Sequence, residues 1–125
     1  MSIDRIENLN VWQESKKLCK NIYDIVKSYP TDEKYILVKH MKENGRGIPA
    51  NIAEGFYRFY YQESIRFYQI ARGCLGELKS DLYISLDQNF LTNKNFEDLN
   101  NKIEKIFIML NCLIKTTRCQ KNSNS

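Results

Sequence analysis

Ile48-Pro49-Ala50-Asn51-Ile52-Ala53-Glu54-Gly55 sets a proline inside a segment whose apolar residues, Ile48, Ile52 and Ala53, keep helical spacing. In a helix interior a proline costs ~3 kcal/mol and a glycine ~1 kcal/mol relative to alanine. Gly45, Gly47 and Pro49 therefore need a geometric reason. The helical spacing resumes at once after Pro49, which predicts one helix continuing through a kink rather than two helices. Gly55 is expected to end it as a C-cap. Arg58 follows, then a second helical pattern from Glu63-Ser64-Ile65-Arg66-Phe67-Tyr68 to Cys74-Leu75-Gly76-Glu77-Leu78.

Upstream, residues from about Asn10 to Ser28 place Val11, Ser15, Leu18, Ile22, Ile25 and Tyr29 at alternating spacings of four and three, an amphipathic helix. Pro30 stops it, and Thr31 with Asp32 and Glu33 reads as the N-cap and acidic first turn of the second helix. Downstream, the third helix spans about Gln62 to Asp87, its inner stripe Phe67, Ala71, Cys74, Leu75, Leu78, Leu82, Ser85 and Leu86. Gly73 and Gly76 on it are expected to let a neighbouring backbone approach. Asn89 and Leu91 turn the chain, Thr92 caps the fourth helix, and Phe96, Leu99, Ile103, Ile106, Leu110, Leu113 and Thr117 repeat three-four throughout. The fold class is therefore all-α: an up-down-up-down four-helix bundle with a Pro/Gly-kinked second helix. One domain is expected over residues 1–118, with residues 119–125 a frayed polar tail.

Composition narrows the function classes. The 125 residues suffice for one core, and 42% hydrophobic with 27% charged residues is an ordinary globular balance. No apolar run approaches the ~18 residues of a membrane span, and the N-terminus lacks a signal-peptide stretch, so a cytoplasmic protein without membrane contact is expected. Cys19, Cys74, Cys112 and Cys119 form no CxxC pair and read as buried free thiols. The net charge of +4 permits nucleic-acid contact without demanding it.

The candidate residues have competing readings. Asn51 and Glu54 are either contacts for a ligand or partners for backbone freed by Pro49 and for Arg58 or Arg66, the latter reading leading. The cluster Phe56-Tyr57-Arg58-Phe59-Tyr60-Tyr61 holds too many rings for one turn of a monomer to hide, and is expected at a subunit interface ahead of bundle-end packing or base stacking. Lys16, Lys17 and Lys20 on the first helix, and Lys102, Lys105 and Lys115 on the fourth, are solvated faces or phosphate contacts. His40 is the only histidine, and Leu37 stands where a di-iron Glu-x-x-His motif needs its carboxylate. No catalytic residue, cofactor or metal is expected.

Leu9-Asn10-Val11-Trp12-Gln13-Glu14-Ser15, the Ile48–Gly55 block, Arg58 and the block from Phe67 to Leu78 together resemble the 23S rRNA intervening-sequence protein family, over roughly Leu9 to Lys115. The resemblance implies a bacterial, ribosomal-protein-like four-helix bundle that assembles as a homopentamer and has no established enzymatic activity. It is also similar to the accessory proteins of diversity-generating retroelements, which bind nucleic acid and a reverse transcriptase through a basic surface. Here Lys42-Glu43-Asn44-Gly45-Arg46-Gly47 stands in place of an arginine-rich stretch, leaving Arg46 with Lys42, and Tyr60 replaces a common Ser or Thr N-cap. The expectation is a non-enzymatic oligomeric scaffold with RNA, DNA or a nucleic-acid-handling protein as partner. The alternative is a protein-protein interaction module that binds no nucleic acid.

Overall fold

The computed structural model describes residues 3–123. Its long helices are α1 Asn10–Ile25, α2 Leu37–Phe56, α3 Tyr61–Asp87 and α4 Asn93–Ser123, with 3-10 turns at Ile6–Asn8, Val26–Ser28 and Thr31–Glu33. α1 and α3 each pack against α2 and α4, so α1 and α3 lie on one diagonal of a square. Short connections make successive helices antiparallel, the up-down-up-down bundle that the periodicity predicts. Among the described residues no helix is long and apolar enough to cross a membrane.

Each helix buries one stripe. α1 contributes Val11, Ser15, Leu18 and Ile22, and α4 runs Phe96, Leu99, Ile103, Ile106, Leu110 and Ile114. Ile114 rather than Leu113 takes the last apolar place, because a 3.6-residue helix drifts against a strict three-four repeat. Ser15, Ser85 and Thr117 sit inside because each hydroxyl donates to the carbonyl four residues back, at 2.7, 2.8 and 2.8 Å. α3 ends in a Schellman motif: Phe90 N–H donates to Ser85 O, Asn89 N–H to Leu86 O, and Asn89 takes the left-handed φ of 60°. Thr92 caps α4, its hydroxyl oxygen accepting from Asn95 N–H at 3.1 Å.

α2 runs unbroken through Pro49. Two of its glycines are explained by what surrounds them. A Cβ on Gly47 would stand 3.0 Å from Cys74 Sγ, and one on Gly55 2.7 Å from Tyr68 Cε1 and 2.9 Å from the Ser64 carbonyl oxygen. These glycines let α2 and α3 close on one another. Gly55 is thus inside α2 and not its C-cap; Tyr57 holds that place, with φ −95°. Gly73 and Gly76, expected to admit a neighbour, have nothing within 4 Å of a Cβ because they lie on the outer face of α3.

Further boundaries differ. Glu33 N–H and Lys34 N–H bond to carbonyls three residues back, so Thr31–Glu33 is a separate 3-10 turn and α2 starts six residues beyond Thr31, after Ile36, with no side-chain cap. α4 stays helical to Ser123, and Lys121 Nζ donates to Gln62 Oε1 at 2.5 Å. Of the segment 119–125, residues 124–125 lie outside the described residues.

Candidate functional site

The Ile48–Gly55 block is occupied with itself. Pro49 has no N–H to give the carbonyl of Gly45. Asn51, two residues further on, donates from Nδ2 to the Gly47 carbonyl at 2.8 Å and so does not serve the Gly45 carbonyl that Pro49 leaves free. Glu54 accepts from Arg58 at 2.5 Å, while Arg58 also lies 4.0 Å from Glu63 and 4.7 Å over the Phe67 ring. Arg58 is therefore a strut between the end of α2 and the start of α3.

The rings around it divide. Phe56 is half-buried and meets Tyr57 edge-on at 5.0 Å, and the Tyr57 hydroxyl oxygen accepts from Ile6 N–H at 3.2 Å, tying down the first turn. Phe59 is 87% exposed and Tyr60 65%, paired edge-on with each other at 5.0 Å, and Tyr61 is also exposed. Tyr60 starts α3 without a side-chain cap bond.

The lysine faces of α1 and α4 adjoin. Lys102 Nζ donates to Asn21 Oδ1 at 2.7 Å, and Glu14 stands 3.4 Å from Lys105 and 3.9 Å from Lys17. Lys20 is paired with Asp24 at 3.0 Å. Lys115 is exposed further along α4. On its other side α1 forms a groove of about 670 Å³ with Pro49 of α2, lined by Trp12, Lys16, Lys17, Cys19, Lys20 and Tyr23. Arg46 lines a second groove of about 300 Å³ that shares Tyr23 with the first.

A polar pair joins α2 to α3. His40 Nδ1 meets Asp81 Oδ2 at 2.5 Å, beside Asn44, whose Nδ2 donates to the His40 carbonyl at 3.1 Å. Burial pushes the Asp81 carboxyl up; the hydrogen bond and charge of His40 oppose that, and Glu77 adds to it. Asp81 escapes a sequence reading because it lies 41 residues from His40. The pair opens into a shallow groove beside Ile36, Ile84 and Phe90. Among the described residues no group of His, Cys, Asp and Glu could hold a metal ion.

The thiols are less buried than expected. Cys19 and Cys74 are half-buried, and burial raises both; Arg46 opposes the shift at Cys19, and Glu77 adds to it at Cys74. Cys112 and Cys119 are exposed, since they fall on the outer face of α4.

The sequence model of the 23S rRNA-intervening sequence proteins matches residues 7–112. Among solved structures, a protein of unknown function from the S23 ribosomal protein family of Bacteroides thetaiotaomicron VPI-5482 superposes with a TM-score of 0.78. The match covers 84% of this chain and 95% of that one at 24% identity, a likeness of fold. No curated protein matches the chain. Neither description names an enzymatic activity. The family match runs from the first 3-10 turn well into α4, so the chain belongs to the 23S rRNA-intervening sequence proteins.

Proposed function

We propose that this chain is a non-enzymatic, self-associating scaffold that binds nucleic acid, RNA foremost. The observation that carries the reading is the joined basic flank, in which Lys17 of α1 and Lys102 and Lys105 of α4 share Asn21 and Glu14 as spacers. Two helices presenting ammonium groups side by side sum their fields, and a polyanion gains from neutralising several phosphates at once. The family's link to 23S rRNA points the same way. Anisotropy of labelled structured RNA and duplex DNA at several salt concentrations tests it. Binding with a steep negative salt slope supports the reading, and no binding at low salt removes it.

Self-association belongs to the same proposal, as a homopentamer by resemblance, with the exposed Phe59–Tyr60 tip as the contact. That tip also favours the second reading, a module that docks on another protein and leaves nucleic acid alone. Capture of one defined protein at high salt, with no RNA affinity, would put that reading first.

A further inference from the structure

The two grooves beside α1 form a run of aromatic rings, each with a lysine over its face. Lys16 Nζ lies 5.6 Å from the Trp12 ring centre, Lys42 Nζ 5.2 Å from Tyr23 and Lys34 Nζ 5.4 Å from Tyr35. Trp12 and Tyr23 line the first groove, and Tyr23 and Tyr35 the second, so the run is continuous through Tyr23. Trp12, Lys16, Cys19 and Tyr23 succeed one another at helical spacing on one face of α1. Trp12 and Tyr23 therefore stand ~16 Å apart along the helix axis. At ~3.4 Å per nucleotide that length spans about five stacked nucleotides, and fewer in an extended strand.

Charge and exposure select the occupant. Lys16, Lys17 and Lys20 line the first groove, Lys17 and Lys20 paired with Glu14 and Asp24. Three more lysines with Arg46 line the second, against the carboxylates Glu7 and Glu43. Glu43 is already paired with Lys39 at 2.5 Å. Among the described residues Lys16, Lys34 and Lys42 have no carboxylate partner; each is committed to a ring alone. Tyr23 is 38% exposed and Tyr35 78%. A duplex keeps its base faces inside the stack and could meet only the lysines. An acidic peptide has no flat faces to offer the rings. A single strand offers both phosphates and open bases.

We infer that the α1–α2 face is a track for single-stranded RNA, with bases stacked on Trp12, Tyr23 and Tyr35 and phosphates on Lys16, Lys34 and Lys42. The inference rests on the nucleic-acid reading above and names the form and seat of the ligand. In the free protein each lysine covers its ring by cation–π attraction. When a base takes the ring face, the ammonium moves onto the neighbouring phosphate, so the same residue guards the site and completes it.

Trp12 is the chain's only tryptophan, which gives the track a built-in reporter. The full chain is titrated with a 12-nucleotide oligouridylate, the same length of duplex RNA, oligothymidylate and inorganic polyphosphate, following Trp12 fluorescence. The single-stranded RNA is expected to quench Trp12 and to bind about tenfold tighter than the duplex. Tyr23→Leu and Tyr35→Leu, at exposed positions that leave folding intact by circular dichroism, should each weaken labelled RNA roughly tenfold with the salt slope unchanged. Lys16→Gln with Lys42→Gln should instead flatten the slope by about two contacts' worth. Equal binding of duplex and polyphosphate, with no effect of the tyrosine variants, would overturn the track and leave a charge-only nucleic-acid binder. Tighter binding of oligothymidylate than of RNA would overturn the choice of RNA. No binding of any polyanion at low salt would remove both this inference and the reading beneath it.

Discussion

His40 Nδ1 on α2 and Asp81 Oδ2 on α3 stand 2.5 Å apart, with the histidine side chain 46% exposed and the aspartate only 8%. The carboxylate thus owes most of its polar contact to one ring on the neighbouring helix. Burial raises the Asp81 pKa, so the folded state holds that proton more tightly than the unfolded chain does. The contribution of Asp81 to stability is therefore fully present below the unfolded carboxylate pKa and is lost as pH rises through the folded one.

Urea midpoints across pH check this. The stability of the wild type relative to Asp81→Asn is expected to fall as pH climbs through and above the ordinary carboxylate range. Asp24 and Glu43, whose pKa values are lowered, add in the opposite sense to both proteins and cancel in that difference. His40→Ala leaves the buried carboxylate unpaired, and should cost about 1–3 kcal/mol at pH 7 but less at pH 4, where Asp81 is more protonated. An identical cost at both pH values would show that the pair does not govern the titration.

Gly55 and Gly76 make an opposed pair. Gly55→Ala forces a methyl against Tyr68 and the Ser64 carbonyl and is expected to destabilise by about 1–3 kcal/mol. Gly76→Ala meets open space on the outer face of α3 and should stabilise by about 0.5–1 kcal/mol. Denaturant unfolding of the two variants settles the sign of each.

Phe59→Asp is expected to shift the protein to its monomeric mass in light scattering at micromolar concentration, because a charge replaces the most exposed ring of the tip. Tyr57→Asp would additionally lose the hydroxyl that holds Ile6 N–H, so its effect mixes interface with folding. An unchanged mass for Phe59→Asp would take the tip out of any assembly.

Lys102→Glu combined with Lys105→Glu should weaken structured RNA and duplex DNA alike and lower the salt slope by about two contacts' worth. The change also sets new carboxylates beside Asn21 and Glu14, so unfolding is measured in parallel. Undiminished affinity would take the α1–α4 flank out of the binding surface.

The helices and their inner stripes were legible because a residue's place on a helix depends only on its neighbours three and four positions away. Val11 to Ile22, Leu75 to Leu82 and Phe96 to Leu110 all obey that rule, and so does the Thr92 cap. Local punctuation read less well: Gly55 resembles a helix end, yet Tyr57 ends α2.

The sequence by itself determined the bundle, its helix order and most of the inward stripes, since periodicity and turn chemistry are local properties. The start of α3 departs from its expected stripe: Ile65 and Tyr68 turn inward there, while Phe67, expected inside, is only half-buried. Only the tertiary structure decided what lies across from each stripe. Gly55 is glycine because Tyr68 of α3 closes on it, whereas Gly73 and Gly76 face nothing. Asp81 finds His40 across 41 residues of chain, and Lys42 of α2 covers Tyr23 of α1. Such pairings depend on how helices are rotated and set against one another. That is fixed by the packing of the whole core, so no single segment carries it.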